Sequence, residues 1–217
     1  MKKPHENTLK FIEDIKVGRK RIVKFLSEKI IINENVFPVD SEFSYSSKIT
    51  AREISKNPGV VLDVGTGTGV QAIIAAKNGA KKVVAIDIDD DSLKNARENV
   101  KFHKLEKIIE VRKSDLFRDI KSNEKFDLII SQLPFANVEH KDEISHFLFD
   151  PDFKLHVRFL KEAKNHLTDK GIILVPTGTV GDEDRLNELI KEYEYKIKKI
   201  KEEEFNNLIW KIYVLEK

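Results

Sequence analysis

The sequence predicts an α/β fold: a doubly wound, seven-stranded sheet, mostly parallel, with a C-terminal antiparallel hairpin and a short N-terminal extension. Three observations predict it. From Val60 onward, continuous apolar runs recur between helix-period segments, and runs without alternation are strands buried on both faces, as in a parallel sheet covered by helices. The first of these strands passes through a glycine-rich turn directly into an apolar helix. The last two strand candidates are too close together for a crossover of a dozen residues and must pair antiparallel.

Five runs are expected to form the parallel strands: Val60–Val64, Lys82–Ile86, Ile108–Val111, Asp127–Ser131 and Gly171–Val175. Helix-period segments separate them at Val70–Asn78, Asp91–His103, Phe153–Leu167 and Asp182–Glu192. Tyr195–Lys201 and Leu208–Leu215 form the terminal pair, with Glu202–Asn207 as an acidic turn between them. Residues 1–57 have a different texture: a helix over about 7–17, two β-branched runs at Arg21–Phe25 and Lys29–Asn33, the polar and aromatic segment FPVDSEFSYSS, and a short helix over Ser47–Lys56. Asn57-Pro58-Gly59 stops that helix, because Pro58 lacks an N–H and Gly59 turns freely. The division is therefore an extension over 1–57 and a core over 58–217.

Composition narrows the class without naming a ligand. Of 217 residues, 40% are hydrophobic and 35% charged, enough for a core inside a heavily charged surface. No run approaches the ~18 consecutive apolar residues of a membrane helix, and MKKPHENTLK lacks the apolar stretch of a secretion signal, so a cytoplasmic chain is expected. The absence of cysteine excludes disulfides, thiolate zinc sites and cysteine nucleophiles together. The 39 Lys+Arg nearly balance the 37 Asp+Glu. Residues 1–26 lean basic, with eight cations against three anions; such a run is a solvated helix face or an RNA-facing arm.

The clearest chemistry lies in VVLDVGTGTGVQAIIAA, residues 60–76. Gly65, Gly67 and Gly69 alternate with Thr66 and Thr68, so positive φ is available and a ligand can come close to the backbone where a Cβ would clash. Gly67-Thr68-Gly69-Val70-Gln71-Ala72 also matches G-x-G-x-x-A, the nicotinamide-dinucleotide fingerprint. That match is shifted past the strand end, and Asp63 within the strand opposes a pyrophosphate while suiting a ligand with a cationic centre. The next strand, KVVAIDID, ends in Asp87, about 20 residues beyond the glycines, where a carboxylate accepts from ribose hydroxyls. Asp115, in VRKSDLF after Ser114, could accept from an exocyclic adenine amine.

Taken in order and spacing, VVLDVGTGTG, VVAIDID, KSDLF and FDLIISQLPF resemble the class I S-adenosylmethionine-dependent methyltransferases over roughly residues 58–217. The resemblance implies a Rossmann-like fold and S-adenosyl-L-methionine as cofactor. Gly65, Thr66, Gly67 and Gly69 would pass under its methionine part, with Asp63 supporting the loop. Asp87 would hold the ribose, Ile88 would pack on the adenine, and Ser114 and Asp115 would lie at the base. Upstream, SEKIIINENVFPVDSEFSYSSKI looks more loosely like the segment preceding the core in the "methyltransferase small" group, which includes release-factor glutamine and ribosomal RNA guanine-N2 methyltransferases.

Gln132-Leu133-Pro134-Phe135 resembles the Asn-Pro-Pro-Tyr/Phe motif of methyltransferases acting on amino and amide nitrogens. The nitrogen lone pair in such groups is delocalised, and acceptors gripping the N–H bonds favour a pyramidal nitrogen carrying developing positive charge. The resemblance gives Gln132 that role together with the Leu133 carbonyl, Pro134 shaping the turn and Phe135 stacking on the acceptor. Gln132 is one methylene longer than the motif's Asn, and Leu133 replaces its first proline. His140, His146, His156 and His166 lie 6, 10 and 10 apart, without the i, i+4 spacing of a metal pair, so no metal is expected. His140 or His146 as general base, and Glu139, Asp142 and Glu143 as a cationic-substrate entrance, stand beside plain loop roles.

The expected activity is N-methylation of an amino or amide nitrogen on RNA or protein. The basic N-terminal segment favours a macromolecule; the irregular QLPF and the acidic connection after it favour a small molecule or peptide. A non-catalytic S-adenosylmethionine-binding module and a nicotinamide oxidoreductase are the readings from other classes.

Overall fold

The computed structural model describes residues 18–137 and 147–217, apart from the side chain of Glu42. The predicted helix over 7–17 and the candidates Glu139, His140, Asp142, Glu143 and His146 lie outside these residues.

The first element among the described residues is a hairpin, β1 (Arg21–Phe25) and β2 (Glu28–Ile32), paired antiparallel. A 3₁₀ turn over Glu42–Ser44 leads into helix α1 (Tyr45–Glu53). The core then alternates β3 (Val60–Val64), α2 (Val70–Lys77), β4 (Lys82–Asp87), α3 (Asp90–Phe102), β5 (Ile109–Lys113) and β6 (Phe126–Ser131). After the connection come α4 (Lys154–Ala163), β7 (Leu167–Gly178), α5 (Glu183–Glu192), β8 (Lys196–Phe205) and β9 (Leu208–Glu216). Strand order in the sheet is β5-β4-β3-β6-β7-β9-β8, with β3 to β7 parallel and β9 antiparallel to both neighbours. The seven-stranded, doubly wound architecture is as predicted.

Two layers of apolar side chains cover the sheet. One face packs Val61, Val83, Leu128 and Leu174 under α2, and the same cluster takes in Phe25, Ile30, Ile32 and Ile49 from the extension. The other packs Leu62, Val84, Ile129 and Ile173 under α4 and α5, with Phe159 and Leu189 buried there. The buried strands β3, β4, β6 and β7 explain their continuous apolar runs, whereas β5, at the sheet edge, is mostly half-buried or exposed.

Several boundaries differ from the sequence reading. The short helix expected over Ser47–Lys56 runs over Tyr45–Glu53 and is ended by the extended backbone of Ile54, three residues before Asn57-Pro58-Gly59. The acidic turn proposed at Glu202–Asn207 is strand as far as Phe205, and the turn itself is Asn206-Asn207, both at positive φ (53° and 57°). Left-handed backbone at two central residues suits a tight hairpin, and Asn tolerates it. The acidic residues are accommodated because β8 is the sheet's edge: Glu203 pairs with Arg52 at 2.9 Å and Glu202 with Lys211 at 3.2 Å. Strand β7 starts at Leu167, not Gly171, where a register shift between Phe126 and Leu128 admits an extra loop of β7 residues. The helix expected to reach Leu167 therefore stops at Ala163, followed by one 3₁₀ turn over Lys164–His166. Among the described residues no helix is long and apolar enough to cross a membrane.

Candidate active site

The carboxyl ends of β3, β4, β5 and β6 converge on one crevice. Strand order reverses between β3 and β6, so the turns leaving these two strands diverge and open a cleft at the topological switch point. The Gln132 N–H donates to the Val64 carbonyl at 2.8 Å, and a Cβ on Gly65 would sit 2.8 Å from the Gln132 carbonyl oxygen. Gly65, at φ 72°, is glycine because the two turns are packed backbone to backbone. The cleft is a cavity of about 370 Å³, within the ~300–1,000 Å³ typical of small-molecule sites.

The glycine turn is fixed from below and open above. The Gly65 and Thr66 N–H groups both donate to the Ile86 carbonyl at 2.9 Å. Asp63 is fully buried and does not reach the cavity: its Oδ2 accepts from the Thr66 hydroxyl (2.6 Å) and the Ala72 N–H (3.2 Å). Burial pushes the Asp63 carboxyl up to about 7, against those two hydrogen bonds, which hold it down. Gly69 (φ 81°) caps α2 and packs on Ala96 of α3, also away from the cavity. Gly67 (φ 52°) is different: a Cβ there would meet nothing within 4 Å, so its exposed backbone forms part of the cavity floor.

Asp87 closes β4 at the cavity rim. Its Oδ2 accepts from the Gly67 N–H at 2.9 Å and its Oδ1 from the Asp89 N–H at 3.0 Å. Burial raises its carboxyl above the usual range, and these backbone bonds oppose the shift. Each oxygen keeps a lone pair for a pair of neighbouring hydroxyls. Ile88 lines the cavity with 58% of its surface exposed, a flat apolar platform beside the carboxylate. The Ser114 hydroxyl is spent within its own turn, donating to the Leu116 carbonyl (2.6 Å) and accepting from the Asp119 N–H (3.1 Å). Asp115 lines the cavity with a partner that sequence reading missed: Arg158 of α4 grips it bidentately at 3.0 and 2.9 Å.

Gln132, Leu133, Pro134 and Phe135 all line the cavity. The Gln132 Oε1 accepts from the Ser47 hydroxyl at 2.8 Å, and its Nε2 donates to the Ser131 carbonyl at 3.2 Å. Ser47 belongs to α1, whose docking is secured when Gln71 Nε2 donates to the Ser47 carbonyl at 2.8 Å. Phe135 meets Trp210 of β9 edge to face at 6.3 Å between centroids. Phe37, Val39 and Phe43 complete this half of the cavity from the extension. The charged side chains among the described lining residues are Asp87 and Asp115.

Two histidines fall elsewhere. His156 is buried against Asp150, Nδ1 to Oδ2 at 2.8 Å, and His166 stacks on Phe117. Among the described residues no cluster of metal-ligating side chains occurs.

The site fits a nucleoside carrying a compact polar tail. Asp87 offers two acceptors beside an apolar platform, Gly67 leaves open backbone, and the buried Thr68 hydroxyl and Gln71 Oε1, both lining the cavity, have no partner within the protein. The fold and this site together define the Rossmann-like class of S-adenosylmethionine-dependent methyltransferases. The chain belongs to the methyltransferase small domain family, whose sequence model matches residues 28–203. That match starts in β2, so the family's domain includes most of the hairpin-to-α1 segment. A Methanocaldococcus jannaschii protein assigned by name as a protein N5-glutamine methyltransferase is 34% identical over 136 residues, 59% of this chain and 67% of that protein. A ribosomal protein L11 methyltransferase of Caldicellulosiruptor saccharolyticus is 34% identical over 142 residues, 65% of this chain but 39% of that protein. The crystal structure of a ribosomal protein L11 methylase from Lactobacillus delbrueckii subsp. bulgaricus superposes with a TM-score of 0.61 at 23% identity, covering 84% of this chain and 82% of that one; it supports the fold.

Proposed function

We propose that the protein transfers a methyl group from S-adenosylmethionine to an amino or amide nitrogen on a protein or RNA. The observation that carries this reading is the sharing of one cavity by the Gly67–Asp87 floor and the Gln132–Phe135 turn. When bound, S-adenosylmethionine supplies an electrophilic methyl group on a sulfonium sulfur. Asp87 would hold its ribose hydroxyls, Ile88 would carry its base, and the backbone around Gly67 would receive its methionine part. Asp115, gripped by Arg158, would accept from the base amine. Asp63 and Gly69 act from below by fixing the turn.

On the acceptor side, Gln132 Oε1 spends one lone pair on Ser47 and keeps the second for an N–H of the incoming nitrogen. The Leu133 carbonyl is the second acceptor. Developing positive charge on nitrogen is stabilised where such groups are fixed in advance. Phe135, braced by Trp210, orients a planar acceptor. We likewise propose the division into an extension over 1–57 and a cofactor-binding core over 58–217: Phe37, Val39 and Phe43 of the extension join Gln132–Phe135 and Trp210 of the core on the acceptor side, and both parts contribute to one hydrophobic cluster. Relatives named for ribosomal proteins support a macromolecular acceptor and a cytoplasmic setting.

A second reading, a small-molecule or peptide acceptor, is favoured by the lining of the acceptor half: Phe37, Val39, Phe43, Phe135 and Trp210 offer no cation for a phosphate backbone. Incubation with methyl-labelled S-adenosylmethionine and separated protein, RNA and metabolite pools tests both. Label in protein or RNA is expected. Label only in metabolites selects the second reading, and cofactor binding with no label in any pool makes the protein a binding module.

A further inference from the structure

Strand β2 presents a free outer edge of the hairpin, and α3 covers it with side chains in place of a further strand. Asn95, Asn99 and His103 are four residues apart and share one helix face. The Asn33 N–H donates to Asn95 Oδ1 at 2.9 Å, and the Ile31 N–H donates to Asn99 Oδ1 at 2.8 Å. The Ile31 carbonyl accepts from Asn95 Nδ2 (2.9 Å) and Asn99 Nδ2 (2.7 Å). His103 Nε2 lies 2.8 Å from the Lys29 carbonyl. The Lys29 carbonyl, both backbone groups of Ile31 and the Asn33 N–H, outward-facing groups at alternate residues of a strand edge, thus find partners on α3 and its C-cap.

Asn99 differs from the other two in its reach. Its Nδ2 also donates to the Thr68 carbonyl at 2.9 Å. Thr68 lies between Gly67 and Gly69 in the cofactor turn and lines the cavity, whereas Ile31 does not. Asn99 is fully buried. The left-handed glycines on either side of Thr68 (φ 52° and 81°) leave the turn little intrinsic preference, and the Thr68–Gly69 peptide is held from both sides: its N–H donates to the Thr66 carbonyl at 2.8 Å inside the turn, and its carbonyl accepts from Asn99 outside it.

We infer that Asn99 is a positioning residue that fixes the Thr68 peptide of the cofactor turn and ties its orientation to the docked N-terminal hairpin. Ile31 holds the carboxamide through both its N–H and its carbonyl, and the carboxamide holds Thr68. Asn95 anchors the same hairpin without touching the turn, so it separates positioning from general stability. The inference rests on S-adenosylmethionine as cofactor and is independent of the acceptor.

The test is calorimetric titration of the full chain with S-adenosylhomocysteine, with melting temperatures measured on the same preparations, for wild type, Asn99→Ala and Asn95→Ala. Both variants are expected to melt lower. Asn99→Ala is expected to raise Kd about fivefold, the worth of one net hydrogen bond, and Asn95→Ala less than about twofold. Should Asn99→Ala be too unstable to titrate, Asn99→Ser replaces it, because its shorter hydroxyl cannot bridge Ile31 and Thr68. Equal affinities in both variants, whether changed or not, overturn the inference alone. A wild-type protein that binds no S-adenosylhomocysteine overturns the cofactor assignment and the inference with it.

Discussion

The Ser47 hydroxyl donates to Gln132 Oε1 across 2.8 Å, joining a helix of the N-terminal segment to the turn that follows β6. The two residues are 85 positions apart, and both line the cavity. A carboxamide held this way presents its oxygen in one orientation, and the bond to the Ser131 carbonyl fixes which end is nitrogen. Gln132→Ala is expected to leave S-adenosylhomocysteine affinity nearly unchanged and to lower turnover by ~10²–10³, as for removal of one group acting on developing charge. Ser47→Ala leaves Gln132 in place but less constrained, and about a tenfold loss of turnover is expected. Full turnover in a folded Gln132→Ala protein would leave the Leu133 carbonyl as the acceptor.

Asp87 is expected to dominate nucleoside recognition. Asp87→Ala removes two acceptors and frees the Gly67 N–H, so affinity for S-adenosylhomocysteine should fall by about 10- to 100-fold, equivalent to ~1.5–3 kcal/mol for bonds to a charged group. Calorimetry showing wild-type affinity would place the ribose elsewhere.

The two glycines Gly65 and Gly67 should fail differently when substituted. Gly65→Ala puts a Cβ 2.8 Å from the Gln132 carbonyl at φ 72°, so loss of thermal stability is its main effect. Gly67→Ala meets no protein atom within 4 Å; it should cost about 1 kcal/mol from the left-handed backbone alone while its methyl obstructs the cavity floor. Denaturant melts paired with calorimetry distinguish them. Unchanged cofactor affinity in Gly67→Ala would remove that backbone from the binding surface.

The buried Asp63 carboxyl makes stability depend on pH. Its value near 7 in the folded protein lies above that of an unfolded aspartate, so the folded state binds the extra proton. Its contribution is complete below about pH 4 and is lost as pH rises through about 7. Stability of Asp63→Asn relative to wild type should therefore increase from pH 4 to pH 8. A difference that stays constant across that range would mean the carboxyl ionises as it does in the unfolded chain.

Much of this site is legible in sequence because its parts are local. Val60–Val64 and the glycine turn form a contiguous strand-to-helix segment, and Asp87 follows from the end of the next apolar run. What escaped was long-range. Arg158 reaches Asp115 across 43 positions, and no local pattern marks it among many surface cations. Asn95, Asn99 and His103 did leave a signal: three hydrogen-bonding side chains at four-residue spacing in an otherwise amphipathic helix. Their meaning depended on the free edge of β2. The end of β8 was misplaced because Glu202–Glu204 look like turn residues by composition, whereas an edge strand carries charge readily.

Melting temperature with and without ligand tests the assignment of this cavity most directly, since S-adenosylhomocysteine and NAD make competing claims on the same glycine turn. With S-adenosylhomocysteine at a hundred times its Kd, stabilisation of ~2.7 kcal/mol is expected, a rise of about 5–10 °C for a chain of this size. NAD at the same concentration is expected to leave the melting temperature unchanged. A rise with NAD and none with S-adenosylhomocysteine would contradict the assignment.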